Sequence, residues 1–243
     1  MNVLRKYGIA KGSIVFAFAF VFCLPLAAAA MGKDDPLLGM LVLDQVEYRS
    51  MDGHDPRVLE GYGWLGYDLD KLWIDFEVEQ VDGETEEAEW QLRYSRAVSS
   101  YWDLQLGLRR DFEPSPRRNW VVIGLHGLAP YWFETDVALF IGESGRSAMR
   151  VSSEYALRFT QRVVLVPEVE INVYGHNDRS LGVGSGLADV EAGLRLRYEI
   201  RREFAPYFGF NRLKRFGNTR DYARLQGEGS QYSQWVLGLR AWF

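Results

Sequence analysis

The chain has 243 residues, of which 47% are hydrophobic and 14% aromatic, and its formal net charge at pH 7 is −5. This composition excludes a disordered or collagen-like protein. The acidic balance also argues against a nucleic-acid-binding protein, which would carry a basic stripe. Aromatic residues favour pleated surfaces and the 24 glycines suit tight turns, so we predict an all-β fold.

The first thirty residues have the pattern of a secretory signal peptide. Basic residues come first, an apolar run follows from 14 to 22, and the small residues Ala28 and Ala30 fit a cleavage site after Ala30. A membrane helix needs about 20 continuous apolar residues, and Pro25 interrupts a run that is already shorter. This argument favours a cleaved signal peptide over a membrane anchor.

We therefore divide the chain into a signal peptide at 1–30, a short periplasmic segment at 31–39 and a folded domain at 40–243. Cleavage would remove Cys23, the only cysteine of the sequence. The exported protein would then contain neither a disulfide nor a thiolate metal site.

Beyond residue 39 the dominant pattern is strict alternation of apolar and polar residues. In the segment 72–79, Leu72 and Ile74 lie on one face and Asp75 and Glu77 on the other. An amphipathic helix would space its apolar residues three and four apart, so this segment is a strand. The same pattern recurs at 87–94, 102–109, 121–126, 133–141, 149–158, 165–173, 189–198 and 235–243, and more weakly at 40–49, 58–67 and 205–214.

The connections between these twelve segments indicate how the strands are arranged. Short connections lie near 68–71, 98–101, 129–131, 160–162 and 201–204. They alternate with mostly longer ones near 50–57, 81–86, 110–119, 142–147, 175–186 and 214–230. This alternation is typical of outer-membrane proteins. Lipid cannot satisfy a free strand edge, so the sheet must close. We predict a transmembrane up-and-down antiparallel β-barrel of about 12 strands, exported to the outer membrane of a Gram-negative bacterium and surrounded by lipid.

The polar faces of the predicted strands would line the lumen, and their carboxylates outnumber their arginines. A net-negative, water-containing lumen favours cations. The candidates for a lumenal cation path are Asp75, Glu77, Glu79, Glu87, Glu89, His126, Glu168 and Glu170. The same acids and arginines could instead form a structural lattice that fills the barrel, and the sequence leaves both readings open. Asp44 falls on an apolar face, which the alternation does not explain.

Several segments resemble the copper resistance protein B family, and together they span residues 34 to 243. The matching segments are 44–45, 81–86, 101–105, 127–131, 142–146, 194–207 and 216–219. The resemblance implies an outer-membrane barrel that takes part in copper resistance, by efflux or by sequestration of copper. It also implies a periplasmic multicopper oxidase as a partner.

Copper ligands are sparse in this sequence. Family members often begin with a Met- and His-rich stretch, whereas only residues 31–34 stand between the predicted cleavage site and Asp35. Thioether and imidazole groups suit copper. The candidate metal ligands are therefore Met51 and His54 in the first outer loop and His176 in the loop after the ninth strand. They could share an outer copper site or be ordinary solvated residues, and we expect any copper to be weakly bound.

Two other functions are compatible with a small outer-membrane barrel. A net-negative lumen would also suit a general cation-preferring porin without a dedicated copper site. An outer-membrane hydrolase would need a serine beside an oriented base, and His126 has no serine on its own strand. We therefore expect no enzymatic activity.

Overall fold

The computed structural model describes residues 35–50 and 55–243. The predicted signal peptide at 1–30 and the candidate ligands Met51 and His54 lie outside the described residues. The strands are β1 (Leu38–Ser50), β2 (Arg57–Gly66), β3 (Asp70–Val81), β4 (Glu84–Ala97), β5 (Trp102–Glu113), β6 (Arg118–Ala129), β7 (Phe133–Gly142), β8 (Ser147–Glu154), β9 (Leu157–Arg158), β10 (Val163–Tyr174), β11 (Gly186–Tyr198), β12 (Phe204–Arg215) and β13 (Gln231–Trp242).

These strands form one closed antiparallel sheet. Each strand pairs with its neighbours along the chain, and β1 pairs with β13, so that no edge remains open. The short β8 and β9 both pair with β10 and together occupy one position in the barrel, interrupted at residues 155 and 156. The barrel wall therefore has twelve strand positions, which confirms the predicted fold class. No helix in the described part of the chain is long and apolar enough to cross a membrane.

The two ends of the barrel differ. At one end, which we call the short-turn end, lie the C-terminus and the turns 67–69, 98–101, 130–132, 159–162 and 199–203. The opposite, loop end carries the connections 82–83, 114–117, 143–146, 175–185 and 216–230, beside the connection from β1 to β2. Only the last two of these five are long. The helix α1 (Gly217–Leu225) lies in the final one, where the sequence predicted a loop.

The connection between β3 and β4 is tighter than the predicted 81–86. Strand pairing continues to Val81 and resumes at Glu84, leaving a two-residue turn. Asp82 and Gly83 both have positive φ, 52° and 86°. This is the geometry of the hairpin turn that an Asp-Gly pair favours, because its twist matches that of the flanking strands.

The outer surface of the barrel is apolar along the middle of the strands. Leucine, isoleucine and valine side chains project outwards from alternate positions, and aromatic side chains gather at the short-turn end. The exposed aromatic residues there are Tyr67, Tyr101, Tyr131, Trp132, Phe133, Phe159, Tyr198, Phe204 and Phe243. An apolar band bordered by aromatic residues matches the lipid-facing surface of outer-membrane barrels.

A β-bulge explains the position of Asp44. The pairing of β1 with β2 shifts between Leu43 and Gln45, so one extra residue is inserted into β1. Asp44 and Gln45 consequently both line the barrel interior. There Asp44 forms ion pairs with Arg240 at 2.5 Å and Arg197 at 3.8 Å. Bulges redirect side chains in this way, and simple alternation along β1 could not show it.

Candidate functional site

Two groups of carboxylates line the lumen on opposite sides. We call the first the β2–β4 wall, which consists of Glu60, Glu77, Glu79, Glu87 and Glu89. We call the second the β7–β11 wall, which consists of Glu134, Glu154, Glu168, Glu170 and Glu191. Each wall is assembled from strands that are distant in sequence from those of the other.

Within the β2–β4 wall, carboxylates stand directly opposite one another on adjacent strands. The register pairs Glu60 with Glu77, Glu77 with Glu89, and Glu79 with Glu87. The Cβ atoms of such partners are about 4.5–5.5 Å apart, and like charges at this spacing destabilise a sheet. The oxygens of Glu77, Glu87 and Glu89 all lie within 4.8 Å of one another.

The β7–β11 wall repeats this arrangement. Glu154 is paired with both Glu134 and Glu168, and Glu170 is paired with Glu191. A sheet selected only for stability would place opposite charges at such positions. Both walls therefore concentrate carboxyl groups beyond what strand pairing favours.

Arginines from across the lumen compensate part of this charge. Arg150 of β8 reaches Glu89 of β4 at 3.0 Å, and Arg109 contacts the other oxygen of Glu89 at 2.5 Å. Arg93 lies between Asp75 at 2.7 Å and Asp136 at 2.9 Å, and so joins β4 to β7. These pairs connect the two sides of the barrel through its interior.

Glu47 is the most enclosed carboxylate of this network. It accepts hydrogen bonds from Arg49 at 2.8 Å, Arg195 at 2.7 Å and the hydroxyl of Tyr207 at 2.8 Å. Arg195 also binds Glu168 of the β7–β11 wall. A buried carboxylate with three donors is fully satisfied, so this part of the lumen is a structural lattice.

Other carboxylates lack such partners. Within the described part of the chain, the carboxylates of Glu60 and Glu87 form neither an ion pair nor a hydrogen bond. The nearest cation to Glu77 is Arg150, at 3.9 Å. The walls therefore contain carboxyl groups that no arginine contacts directly.

A cavity of about 190 Å³ separates the two walls. Glu60 and Glu77 line it on one side, and Glu168 and Glu170 on the other. Its lining extends to Trp73, near the short-turn end of the strands. Since a cavity needs about 10–15 Å³ of such space to hold one water molecule, this one has room for several waters or a partly hydrated ion.

His126 lies in the lumen, on the short-turn side of this cavity. Its Nδ1 is 3.5 Å from Asp136 and its Nε2 is 4.0 Å from Glu134. The ring packs against Trp73, with 5.2 Å between centroids. Among the described residues no serine hydroxyl is hydrogen-bonded to His126, whose two nitrogens face carboxylates instead.

The structure places the residues of the predicted cation path in different surroundings. All of them lie on the lumen side, where Glu77, Glu87 and Glu89 are brought together. Asp75 and Glu168 are held by arginines, as Glu89 also is. Glu79 and Glu170 lie nearer the loop end, and Glu170 is 3.5 Å from Arg150. His176 is exposed in the connection 175–185.

The predicted path omitted several lumenal carboxylates, and Glu60 and Asp44 are two of them. The alternation around Glu60 is weak because glycines occupy the outward positions 61 and 63. Its position opposite Glu77 depends on register, for which the sequence contains no signal. Asp44 requires the bulge.

These features define an outer-membrane β-barrel: twelve antiparallel strand positions, an apolar exterior with an aromatic border, and a lumen lined by charged residue types. Solved structures agree. The NanC porin superimposes with a TM-score of 0.57 and 14% identity, covering 84% of this chain and 99% of the porin. The KdgM porin gives a TM-score of 0.50 and 11% identity, covering 84% and 98%. At these identities the likeness concerns the fold alone.

Sequence comparison gives the family. A family model described as copper resistance protein B precursor (CopB) matches residues 37–243. Copper resistance protein B of Escherichia coli is 41% identical over 210 residues, which are 86% of this chain and 71% of the relative. The copper resistance protein B homolog of Pseudomonas syringae pv. tomato is 40% identical with the same coverage. The chain belongs to the copper resistance protein B family, which confirms the resemblance found in its sequence.

Proposed function

We propose that this barrel takes part in copper resistance by binding Cu²⁺ on lumenal carboxylates that lack a close arginine partner. The observation that carries the proposal is the set of like-charge register pairs, above all Glu60 with Glu77 and Glu79 with Glu87. While both members are ionised, such a pair costs stability unless a cation lies between them. A bound cation would convert this repulsion into attraction to both carboxylates.

The ligand chemistry favours the cupric ion. The described lumen offers carboxylate oxygens and the imidazole of His126, and the only cysteine, Cys23, lies outside the described residues. Oxygen and imidazole ligands suit Cu²⁺, whereas cuprous copper prefers thiolates and thioethers. Among divalent first-row metals, a given site of this kind binds Cu²⁺ most tightly.

The geometry favours binding over free diffusion. Arg150 of β8 extends across to Glu89 of the β2–β4 wall, and Arg195 of β11 extends to Glu47 of β1. The cavity lies to the short-turn side, and outer-membrane barrels keep their short turns in the periplasm. Copper would thus be taken up from the periplasm, where a multicopper oxidase could supply it as Cu²⁺. Efflux would further require the bridging arginines to move.

A general cation porin is the alternative, because the acidic walls would attract any cation. The relative affinities for Cu²⁺ and Zn²⁺ distinguish a porin from a copper-binding barrel. A porin would show no preference between Cu²⁺ and Zn²⁺ at equal charge, whereas a ligand site should follow the order of intrinsic affinities, in which Cu²⁺ exceeds Zn²⁺.

The test is Cu²⁺ titration of the refolded barrel by calorimetry, with electron paramagnetic resonance to report the ligands. The combined variant Glu60→Gln, Glu77→Gln and Glu87→Gln should weaken Cu²⁺ binding by about tenfold or more. A matched control with the same charge change, Glu84→Gln, Glu86→Gln and Glu203→Gln, alters exposed residues and should bind as the unsubstituted protein does.

A third variant, Met51→Ala with His54→Ala, examines the loop ligands that the sequence suggested. Full binding in the lumenal variant together with lost binding in this loop variant would overturn the proposal. It would assign copper to the outer loop and leave the walls a structural lattice.

A further inference from the structure

The connection 175–185 is fastened to two other connections at the loop end. The Asp178 carboxylate accepts a hydrogen bond from Nη2 of Arg118, at the start of β6, at 2.8 Å. It also lies 3.3 Å from Nε of Arg146, in the turn between β7 and β8. Arg118 additionally donates to the Ser180 hydroxyl at 3.0 Å. Three separate hairpins therefore converge on one carboxylate.

The opposite side of the same connection rests on α1. The backbone N–H of Gly184 donates to Oγ1 of Thr219 at 2.8 Å, and Asn218 donates to Oδ1 of Asn177 at 2.9 Å. Gly184 is buried, and a Cβ atom at this position would lie 2.6 Å from that of Asn218. Only glycine allows the connection to approach the helix so closely.

Between these two attachments, Leu181 reaches the mouth of the lumen. It shares the lining of a small cavity with Arg109, Asp111 and Tyr174, which lie at the loop end of β5 and β10. This cavity measures only about 20 Å³. It has space for about one water molecule, in contrast to the cavity of about 190 Å³ on the short-turn side.

We propose that the connection 175–185 is a lid that closes the loop end of the lumen, with Asp178 as its latch. While the lid is shut, the acidic cavity is reached from the short-turn end only. Release of Asp178 from Arg118 and Arg146 would free one side of the lid. The other side would stay attached to α1.

The latch is charged at neutral pH. Burial alone would raise the pKa of Asp178, but hydrogen bonds from Ser180 and Arg118 outweigh it, and the pKa lies below its ordinary value. The charge-assisted bond to Arg118 is of the strong class. Asp178 lies beyond the end of β10, and Arg118 is the first residue of β6, at the loop end of the barrel.

The test is conductance in planar bilayers bathed in potassium chloride, so that the result does not depend on copper. Asp178→Asn should raise the occupancy of open states roughly tenfold, as loss of one charge-assisted hydrogen bond predicts. Arg118→Gln should have a similar effect. The double variant should add little, because both substitutions release the same contact. The control Glu84→Gln removes an exposed carboxylate at the same end and should not change conductance.

A labelling experiment provides a second readout. Leu181→Cys, in the mature chain predicted to lack other cysteines, should react slowly with an impermeant maleimide and faster once Asp178→Asn is added. Heat-modifiable migration on gels verifies that each variant has assembled. Unchanged conductance together with equal labelling of both Leu181→Cys proteins would overturn the lid. Failure of the copper proposal would instead appear as lost Cu²⁺ discrimination, with the conductance result unaffected.

Discussion

Leu194 and Arg195 are neighbours on β11 and face opposite environments. Leu194 projects outwards with 45% of its surface exposed, whereas Arg195 is 2% exposed inside the barrel and contacts Glu47 and Glu168. The outer side chain needs only an apolar surrounding. The inner one needs particular partners on β1 and β10. The outer face therefore requires only that its side chains be apolar. The lumen face requires particular residues on particular strands to meet.

Removal of the inner cation should have the largest effect on stability. Arg195→Leu leaves Glu168 without its arginine and Glu47 with one fewer donor. Breaking a buried pair in this way costs about 3–5 kcal/mol, and we expect a loss of unfolding free energy toward the lower end of that range because the lumen contains water. Denaturant unfolding in lipid or detergent measures it.

An exposed pair provides the control for that variant. Arg158 binds Glu199 at 3.1 Å, but its side chain is 58% exposed. Arg158→Leu should therefore lower the unfolding free energy by less than about 1 kcal/mol. Equal losses for Arg195→Leu and Arg158→Leu would show that the inner network does not depend on specific partners.

Placing a cation on the outer face should have the next largest effect on the unfolding free energy. Leu194→Arg places a cation in the lipid-facing band, where it costs about 2–4 kcal/mol near the bilayer midplane. Leu225→Arg makes the same change on α1, outside the barrel wall, at a side chain 85% exposed, and should be neutral. Refolding into vesicles at graded denaturant gives both values, and a neutral Leu194→Arg would mean that the faces are inverted.

The smallest predicted effect is a gain, not a loss, of unfolding free energy. Glu60→Gln removes a carboxylate that stands opposite Glu77 without an arginine of its own. Relief of like-charge repulsion should stabilise the metal-free barrel by about 0.2–1 kcal/mol. A gain in unfolding free energy combined with weaker Cu²⁺ binding would show a site maintained against stability. A loss of stability would mean that Glu60 has a structural role.

These two faces also differ in how far the sequence predicts them. Alternation was sufficient to place Leu194 outside and Arg195 inside, because the side-chain period of a strand is two. It could not predict that Glu60 meets Glu77, since register depends on the geometry of the turns and of the whole barrel. The concentration of charge in the walls was visible in the sequence, but the division between paired and unpaired carboxylates was not.

Local exceptions to the alternation also differ in how clearly the sequence predicts them. The Asp82-Gly83 turn carries a recognisable signal that would have shortened the predicted loop at 81–86. The bulge at Asp44 and the helix α1 had weaker signals. An aspartate on an apolar face suggested an irregularity without giving its form, and a nine-residue helix has too few turns for a clear period.

Copper tolerance of a strain lacking this protein tests the central claim most directly. The strain would be complemented with the unsubstituted chain, with the lumenal Glu60→Gln, Glu77→Gln and Glu87→Gln variant, or with the exposed Glu84→Gln, Glu86→Gln and Glu203→Gln control. Assembly of each barrel is verified by heat-modifiable migration. We expect the control to restore tolerance and the lumenal variant to remain copper-sensitive. Full tolerance with the lumenal variant would contradict a role for the unpaired carboxylates in copper resistance.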